Sequence, residues 1–295
     1  MANEIKISFI IPCYNCEKTV RESVDSILLL GLDDFEICMI DDGSTDDTHK
    51  ILNEYKRRFP DIIKIGHNNK NIGAGATRNE CFKLAKYEYI FMLDSDNILN
   101  KESFSKLLKN MKEEDDIMVF GITKYFYSVF NLFKIFYKDL IYLKTEMTFE
   151  DMRKTIDHPL LGGNYLYKRK IFESVNGYVN KVGVDTWAFG YKALVAGCKI
   201  KIIKNTQYFH KVHRKSYWRS DVKKNFINIK EMFLNMPHKL TEADIQNLKN
   251  CKNPLKIMDI IINRNNDFVL IKTSFLFKFL VRIYFFLWKL PSHKQ

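Results

Sequence analysis

A chain of 295 residues with 23 Phe, 15 Tyr and little Gly or Pro can bury a large core, which excludes an intrinsically disordered protein. Its formal charge of +12 suits nucleic acid, an anionic membrane face or a phosphorylated substrate, and the position of the charge decides among them. No apolar run reaches the ~18 residues that mark a bilayer-spanning helix.

Glu4 and Lys6 precede any apolar stretch, unlike the basic, then apolar, then small-residue layout of a signal peptide. The six cysteines (Cys13, Cys16, Cys38, Cys81, Cys198, Cys251) are therefore expected to be reduced, cytosolic and structural. In chain order, Ile5 to Ile11 reads as a strand closed by Pro12, with Cys13 to Cys16 as a turn. Val20, Val24, Ile27 and Leu28 recur at helical spacing within Glu17 to Leu30. A second strand, Phe35 to Ile40, runs into Asp41-Asp42-Gly43-Ser44-Thr45-Asp46-Asp47, and a helix from Thr48 to Arg58 follows. A short strand, Ile62 to Ile65, leads to the polar loop from Asn68, which opens a helix ending near Lys86. Strand, loop and helix in alternation predict an α/β fold with a mostly parallel sheet covered by helices. In such sheets ligands bind beyond the carboxyl ends of the strands, and the chemically loaded loops all fall there.

Two bland motifs are set aside. Cys13-x-x-Cys16 after a strand invites a thioredoxin-like reading, but that leaves the acid-rich loops unexplained. Gly73-Ala74-Gly75 lacks the third glycine of a dinucleotide fingerprint. The apolar run Ile90 to Leu93, by contrast, ends abruptly in Asp94-Ser95-Asp96. At i, i+2 along a strand the two carboxylates aim to one side with Ser95 turned away, and such hard oxygen donors suit Mg²⁺ or Mn²⁺ held with substrate phosphates. A bare Asp-x-Asp is weak in a chain rich in Asp; its place after a buried strand gives it weight.

Four linked motifs, Ser8 to Asn15 (SFIIPCYN), Ile40 to Asp46 (IDDGSTD), Gly73 to Asn79 (GAGATRN) and Leu93 to Asn97 (LDSDN), resemble the family 2 glycosyltransferases of GT-A fold. The match in order and spacing covers residues 5–100 and continues more weakly to about 217. Cys13 and Thr77 depart from the usual residues without removing a functional group. The resemblance implies a Rossmann-like GT-A domain, its nucleotide-sugar half at 1–100 and its acceptor half at 101–217, with a helical extension at 218–295. Asp42 would accept the N–H of a uracil edge, as against a turn-stabilising Asp beside Gly43, and Asp41 would cap or orient that loop. Pro12, Tyr14 and Ser95 would line the donor pocket, and Arg78 would reach the diphosphate or base rather than sit on a helix surface. Asp94 and Asp96 would hold Mn²⁺ or Mg²⁺, with His213 as an added contact and Arg214 or Lys215 on phosphate, unless that basic loop is only solvated.

Inverting transfer needs a base for the acceptor hydroxyl. The family places it at a helix start, here Gly183-Val184-Asp185-Thr186-Trp187, where Val184 replaces the usual Glu and leaves Asp185. Asp185 would act as base, N-cap the helix, or both, and Trp187 would pack on a sugar ring. Gly163, within Leu160 to Arg169, would let backbone approach the acceptor or would make a bulge. The aromatic stretch Tyr125 to Leu143 lies where the family varies with acceptor. Phe268 to Leu290, with Lys278, Arg282 and Lys289 on one helical face, suits an interfacial helix on anionic lipid or a helix packed on the core.

The expectation is thus a metal-dependent inverting glycosyltransferase moving a sugar from a UDP-sugar to a glycan or lipid-linked acceptor in surface polysaccharide synthesis. It would be cytoplasmic and peripheral on the inner face of the membrane. A nucleotidyltransferase would carry a Gly-rich loop with Lys or Arg near residue 15, which is absent. Nucleic acid is not expected as a partner, because the basic residues form no stripe with acid-free loops. A non-catalytic membrane-binding or lectin-like protein would predict loss of the base.

Overall fold

The computed structural model describes residues 5–129, 133–148, 163–180, 184–212 and 269–273, with isolated helical positions at 228, 231, 242, 246 and 250. Its centre is a run of parallel strands in the order β4-β1-β2-β3: β1 (Ile7–Cys13) pairs with both β2 (Phe35–Asp41) and β4 (Tyr89–Met92), and β2 pairs with β3 (Ile63–His67). The three inner strands β4, β1 and β2 carry apolar residues on both faces. Along β1, Phe9 and Ile11 enter one core layer while Ile10 enters the other, and Ile37, Met39 and Cys38, Ile40 divide in the same way along β2. That period-2 division explains why the strands read as continuous apolar runs.

Helices α1 (Val20–Leu28), α2 (Thr48–Arg58) and α4 (Lys101–Lys109) contribute Val24, Leu52 and Leu107 to one layer. Helices α3 (Ala74–Leu84), α5 (Arg169–Ser174) and α6 (Asp185–Val195) contribute Phe82, Ile171 and Phe189 to the other. The connections of the first half are β-loop-α crossovers, so its loaded loops gather at one end of the sheet.

Beyond β4 the sheet is mixed, which corrects the expectation of a mostly parallel one. β9 (Tyr165–Lys168) runs antiparallel to β4 and to β6 (Ile117–Val129), and β6 forms a long antiparallel hairpin with β7 (Phe133–Tyr142). β10 (Ile200–Lys211) is parallel to β6 but antiparallel to β5 (Asn97–Leu99) and β8 (Glu146–Met147). The β6–β7 connection is a direct hairpin and so antiparallel, while the other antiparallel pairs join strands distant in sequence.

Two boundaries also shift. β1 continues through Pro12, which pairs with Ile40 near the strand's end, where a missing N–H is tolerated. Val269–Thr273 is a strand, β11, antiparallel to β7, so the expected helix over 268–290 does not begin there. Its pairing with β7 extends the sheet beyond the hairpin, a long-range partnership invisible to local periodicity. The remainder of that segment, and most of 218–268, lie outside the described residues. Among the described residues no helix is long and apolar enough to cross a membrane.

Candidate active site

Asp41 and Asp42 leave β2 with opposite engagements. Asp41 is fully buried; its Oδ1 accepts from the Ser44 amide at 3.0 Å, holding the loop as expected. Asp42 accepts from Asn68 Nδ2 at 2.8 Å and from the Ile72 and Gly73 amides at 3.0 Å each, which ties the β3–α3 loop to β2. Both of its oxygens therefore face donors, a setting that holds the carboxylate in one place. Pro12 lies in β1, and Tyr14, just beyond it, is 46% exposed.

Strand β4 stops at Met92, and Asp94 to Asn97 form a turn closed by the Asn97 amide donating to the Asp94 carbonyl at 3.1 Å. The two carboxylates are therefore presented by a turn and not by strand alternation, although they remain neighbours. Burial pushes the Asp94 carboxyl above its ordinary value, Arg78 opposes this, and the Asp96 charge adds to the upward push. Ser95 is turned toward the Cys16 thiol.

Helix α3 brings Arg78 into the same place. Its guanidinium, 8% exposed, donates through Nη2 to Asp94 Oδ1 at 2.8 Å and through Nη1 to Asp185 Oδ2. One planar side chain thus joins the first carboxylate of the Asp-x-Asp turn to the first residue of α6, 107 positions from Arg78 in sequence. Burial disfavours the cation, yet the two carboxylates hold Arg78 more firmly protonated than usual. It is a buried bridge and not a surface arginine. Asp185 makes no side-chain cap for α6; Val184 stands at the N-cap. Trp187 is half-buried one residue beyond Thr186 on the same helix.

The second half of the chain is keyed against the first by glycines. A Cβ on Gly75 would meet the Val179 carbonyl oxygen at 2.1 Å, so the glycine pair permits contact between α3 and the 178–180 segment and is not a phosphate fingerprint. Asn180 Nδ2 donates to the Ile72 carbonyl at 2.7 Å across the same contact. Gly163 has φ +101°, and a Cβ there would lie 2.2 Å from Asp94 Oδ2. The residue makes room for a carboxylate, which neither the backbone-approach nor the bulge reading anticipated. Gly163→Ala is expected to lower stability by roughly 1–3 kcal/mol through backbone strain and to displace Asp94. A lowered urea midpoint together with weakened Mn²⁺ dependence of nucleotide binding would register both effects.

Sequence reasoning missed two neighbours. Asn164, buried at φ +94°, accepts the Asp94 amide at 3.2 Å through Oδ1; Gly-Gly-Asn was its available signal, since Asn tolerates left-handed backbone. His210 on β10, paired with Asn97, is near enough to Asp94 to oppose the upward push on its carboxyl, while the expected His213, Arg214 and Lys215 lie outside the described residues. A buried donor near Asp94, Arg78 Nε, has no hydrogen-bond partner among the described residues. Orphaned donors of this kind are what an anionic ligand satisfies. Among the described residues the one group of three side chains spaced to hold a metal ion lies elsewhere, at Asp41, His49 and His67. The cysteines Cys13, Cys16, Cys38, Cys81 and Cys198 are free thiols.

Comparison with known proteins agrees with this geometry. Residues 8–175 match the model of glycosyl transferase family 2. The chain is similar to the poly(ribitol-phosphate) beta-glucosyltransferase of Bacillus spizizenii, 36% identical over 122 residues covering 41% of this chain and 19% of that protein. It is similar to the chondroitin synthase of Escherichia coli at 37% over 108 residues, 37% of this chain and 16% of that one. With the putative glycosyltransferase EpsE of Bacillus subtilis it shares 33% over 116 residues, 39% and 42% of the two chains. The matched segment thus spans less than half the length of these relatives. In fold it resembles S. aureus TarS 1-349 in complex with UDP-GlcNAc (TM-score 0.60, 22% identity, 88% of this chain and 72% of that one). It likewise resembles the mannosyltransferase PcManGT of Pyrobaculum calidifontis with GDP-Man and Mn²⁺ (TM-score 0.60, 14% identity, 89% and 74%). With a family model matching more than half its length over the motifs that build the site, the chain belongs to glycosyl transferase family 2.

Proposed function

We propose that the protein transfers a sugar, with inversion, from a UDP-sugar to a hydroxyl of a glycan or lipid-linked acceptor in surface polysaccharide synthesis. The observation that carries this is the Arg78 bridge, which sets the carboxylate of the Asp-x-Asp turn and the carboxylate at the start of α6 on one guanidinium. Donor and acceptor chemistry must meet at one carbon, and an ion-pair bridge between residues of the first and second halves of the chain supports that reading. The polymer-building names of the first two relatives support the acceptor class.

The residues fit a divalent ion. Asp94 and Asp96 are close enough that one raises the other's affinity for a proton, and the space at Gly163 admits the Asp94 carboxylate. Those two carboxylates would hold Mn²⁺ or Mg²⁺, which when bound supplies positive charge to the departing nucleoside diphosphate. Asp42 receives the uracil N–H, with Pro12 and Tyr14 beside it. Asp185 takes the proton of the acceptor hydroxyl while that oxygen bonds to the anomeric carbon and the bond from that carbon to the diphosphate oxygen breaks on the opposite face. Arg78, already shared between carboxylates, offers its remaining N–H to a phosphate oxygen. Trp187, two residues along α6 from the base, presents an aromatic face for the acceptor sugar.

Thermal unfolding with UDP, ADP, GDP and CDP, each with and without Mn²⁺, tests the donor assignment. UDP and Mn²⁺ together are expected to raise the midpoint by more than the sum of their separate effects; a ligand at 100 times its dissociation constant adds about 2.7 kcal/mol. A cooperative shift with another nucleotide would overturn UDP as donor, and no cooperative shift with any nucleotide would overturn the site.

A further inference from the structure

Asp41, His49 and His67 form a cluster on the same end of the sheet as the Arg78 bridge but displaced from it. Asp41 and His67 are register partners at the ends of adjacent parallel strands, β2 and β3. His49 is the second residue of α2, and that helix turn is anchored where the Thr48 hydroxyl accepts the Cys16 amide at 2.8 Å. Both imidazoles turn Nδ1 onto the same carboxylate oxygen: His67 Nδ1 lies 3.1 Å and His49 Nδ1 3.2 Å from Asp41 Oδ2. The three ligand atoms come from three elements and lie within 4.8 Å of one another, and the two histidine–carboxylate separations are close to the edge of a coordination polyhedron. Ligands about 2.0–2.1 Å from a tetrahedral zinc ion are about 3.3 Å apart.

We infer that Asp41, His49 and His67 form a second metal site, selective for Zn²⁺ and similar late transition ions, that clamps the nucleotide-binding loop. Two imidazoles and one carboxylate favour such ions, whereas Mg²⁺ takes oxygen donors and keeps its water. The Asp41 carboxylate is already oriented from behind, since its other oxygen accepts the Ser44 amide at 3.0 Å, and outer hydrogen bonds of this kind fix a ligand for its metal. Asp41 is fully buried while the imidazoles are 47% and 43% exposed. Three protein ligands with a solvent-facing side leave a fourth position for water or an exchangeable donor.

The site is separate from the Asp94–Asp96 turn. In the strand order β4-β1-β2-β3, the β2 and β3 ends stand two and three strands away from β4, roughly 10–14 Å at the usual strand spacing. It is nonetheless joined to the loop that carries Asp42. The Asn68 amide donates to the Asp41 carbonyl at 2.8 Å while its side-chain amide donates to Asp42 Oδ1 at 2.8 Å. A metal joining β2, α2 and β3 therefore holds the strand ends from which the Asp42 carboxylate is presented.

Untagged full-length protein titrated with Co²⁺ tests this, because tetrahedral Co²⁺ absorbs strongly in the visible and is displaced by Zn²⁺. The expected result is one equivalent of tetrahedral Co²⁺, lost in His49→Gln and in His67→Gln and retained in the double variant Asp94→Asn/Asp96→Asn. The imidazole resonances of two of the seven histidines in the wild-type protein should move on adding Zn²⁺, a reading that needs no variant to fold. Absence of tetrahedral Co²⁺ would leave only two histidines hydrogen-bonded to a carboxylate and overturn the site. Retention of the signal in either histidine variant, or its loss in the Asp94/Asp96 variant, would overturn it equally. Because the last variant removes the proposed donor metal alone, failure here and failure of the donor-site reading give different patterns.

Discussion

Asp185→Asn is expected to reduce sugar transfer by about 10²- to 10⁴-fold, the usual worth of a positioned proton acceptor, while leaving the joint stabilisation by UDP and Mn²⁺ in place. The substitution keeps the shape of the side chain and an oxygen that can still accept from Arg78. What it removes is the negative charge and the ability to take a proton. Arg78 keeps its 2.8 Å bond to Asp94, so the fold and the nucleotide side of the site should be little changed. The measurement is initial rate of transfer under saturating donor alongside the nucleotide thermal shift. A rate within a few-fold of wild type would assign the base to another group. Loss of the nucleotide shift together with the rate would make Asp185 a positioning residue acting through Arg78.

How much of this was legible in the sequence follows the range of the forces involved. The strands β1, β2 and β4 announced themselves because burial on both faces requires unbroken apolar runs, and α2 was read at its observed bounds from local spacing. Asp41 and Asp42 were given different tasks, and their side chains do engage different partners, since adjacent residues leaving a strand face opposite ways. The Asp94–Asp96 pair was found for a partly wrong reason: β4 had already ended, and a turn brings the carboxylates together. The antiparallel half, β9 against β4 and β11 against β7, is fixed by pairings between residues tens to more than a hundred positions apart. No local period encodes those. The same holds for the Asp41–His49–His67 group, whose members look like a loop acid, a helix-start histidine and a strand-end histidine until three elements converge. Arg78 was singled out from its motif, but its bridging role depends on α6 arriving from the other half of the fold.

Arg78→Met is the substitution expected to cost most in stability. The guanidinium and its two partners are shielded, with side-chain exposures of 8%, 23% and 9% for Arg78, Asp94 and Asp185. Methionine fills much of the volume but removes the cation that Asp94 and Asp185 share. Removing one partner of a buried charge pair costs about 3–5 kcal/mol, because the remaining charge stays desolvated, and two stranded charges place the variant toward the upper end. On a urea curve this is a fall in midpoint on the order of 1 M. The pH dependence identifies the cause. Without Arg78, nothing on that side opposes the burial and the Asp96 charge that already push the Asp94 carboxyl above its ordinary value in the folded state. A carboxyl raised in this way favours the fold when protonated, and that favour is lost as pH rises through the folded-state value. The gap between variant and wild type should therefore narrow as pH is lowered from 7 toward 5, where a packing defect would leave it unchanged. Arg78→Lys should fall between the two, since one ammonium can neutralise the pocket but cannot span both carboxylates as the planar fork does. If Arg78→Met unfolds at the wild-type midpoint, the bridge between the two halves of the site is not a feature of the folded protein in solution.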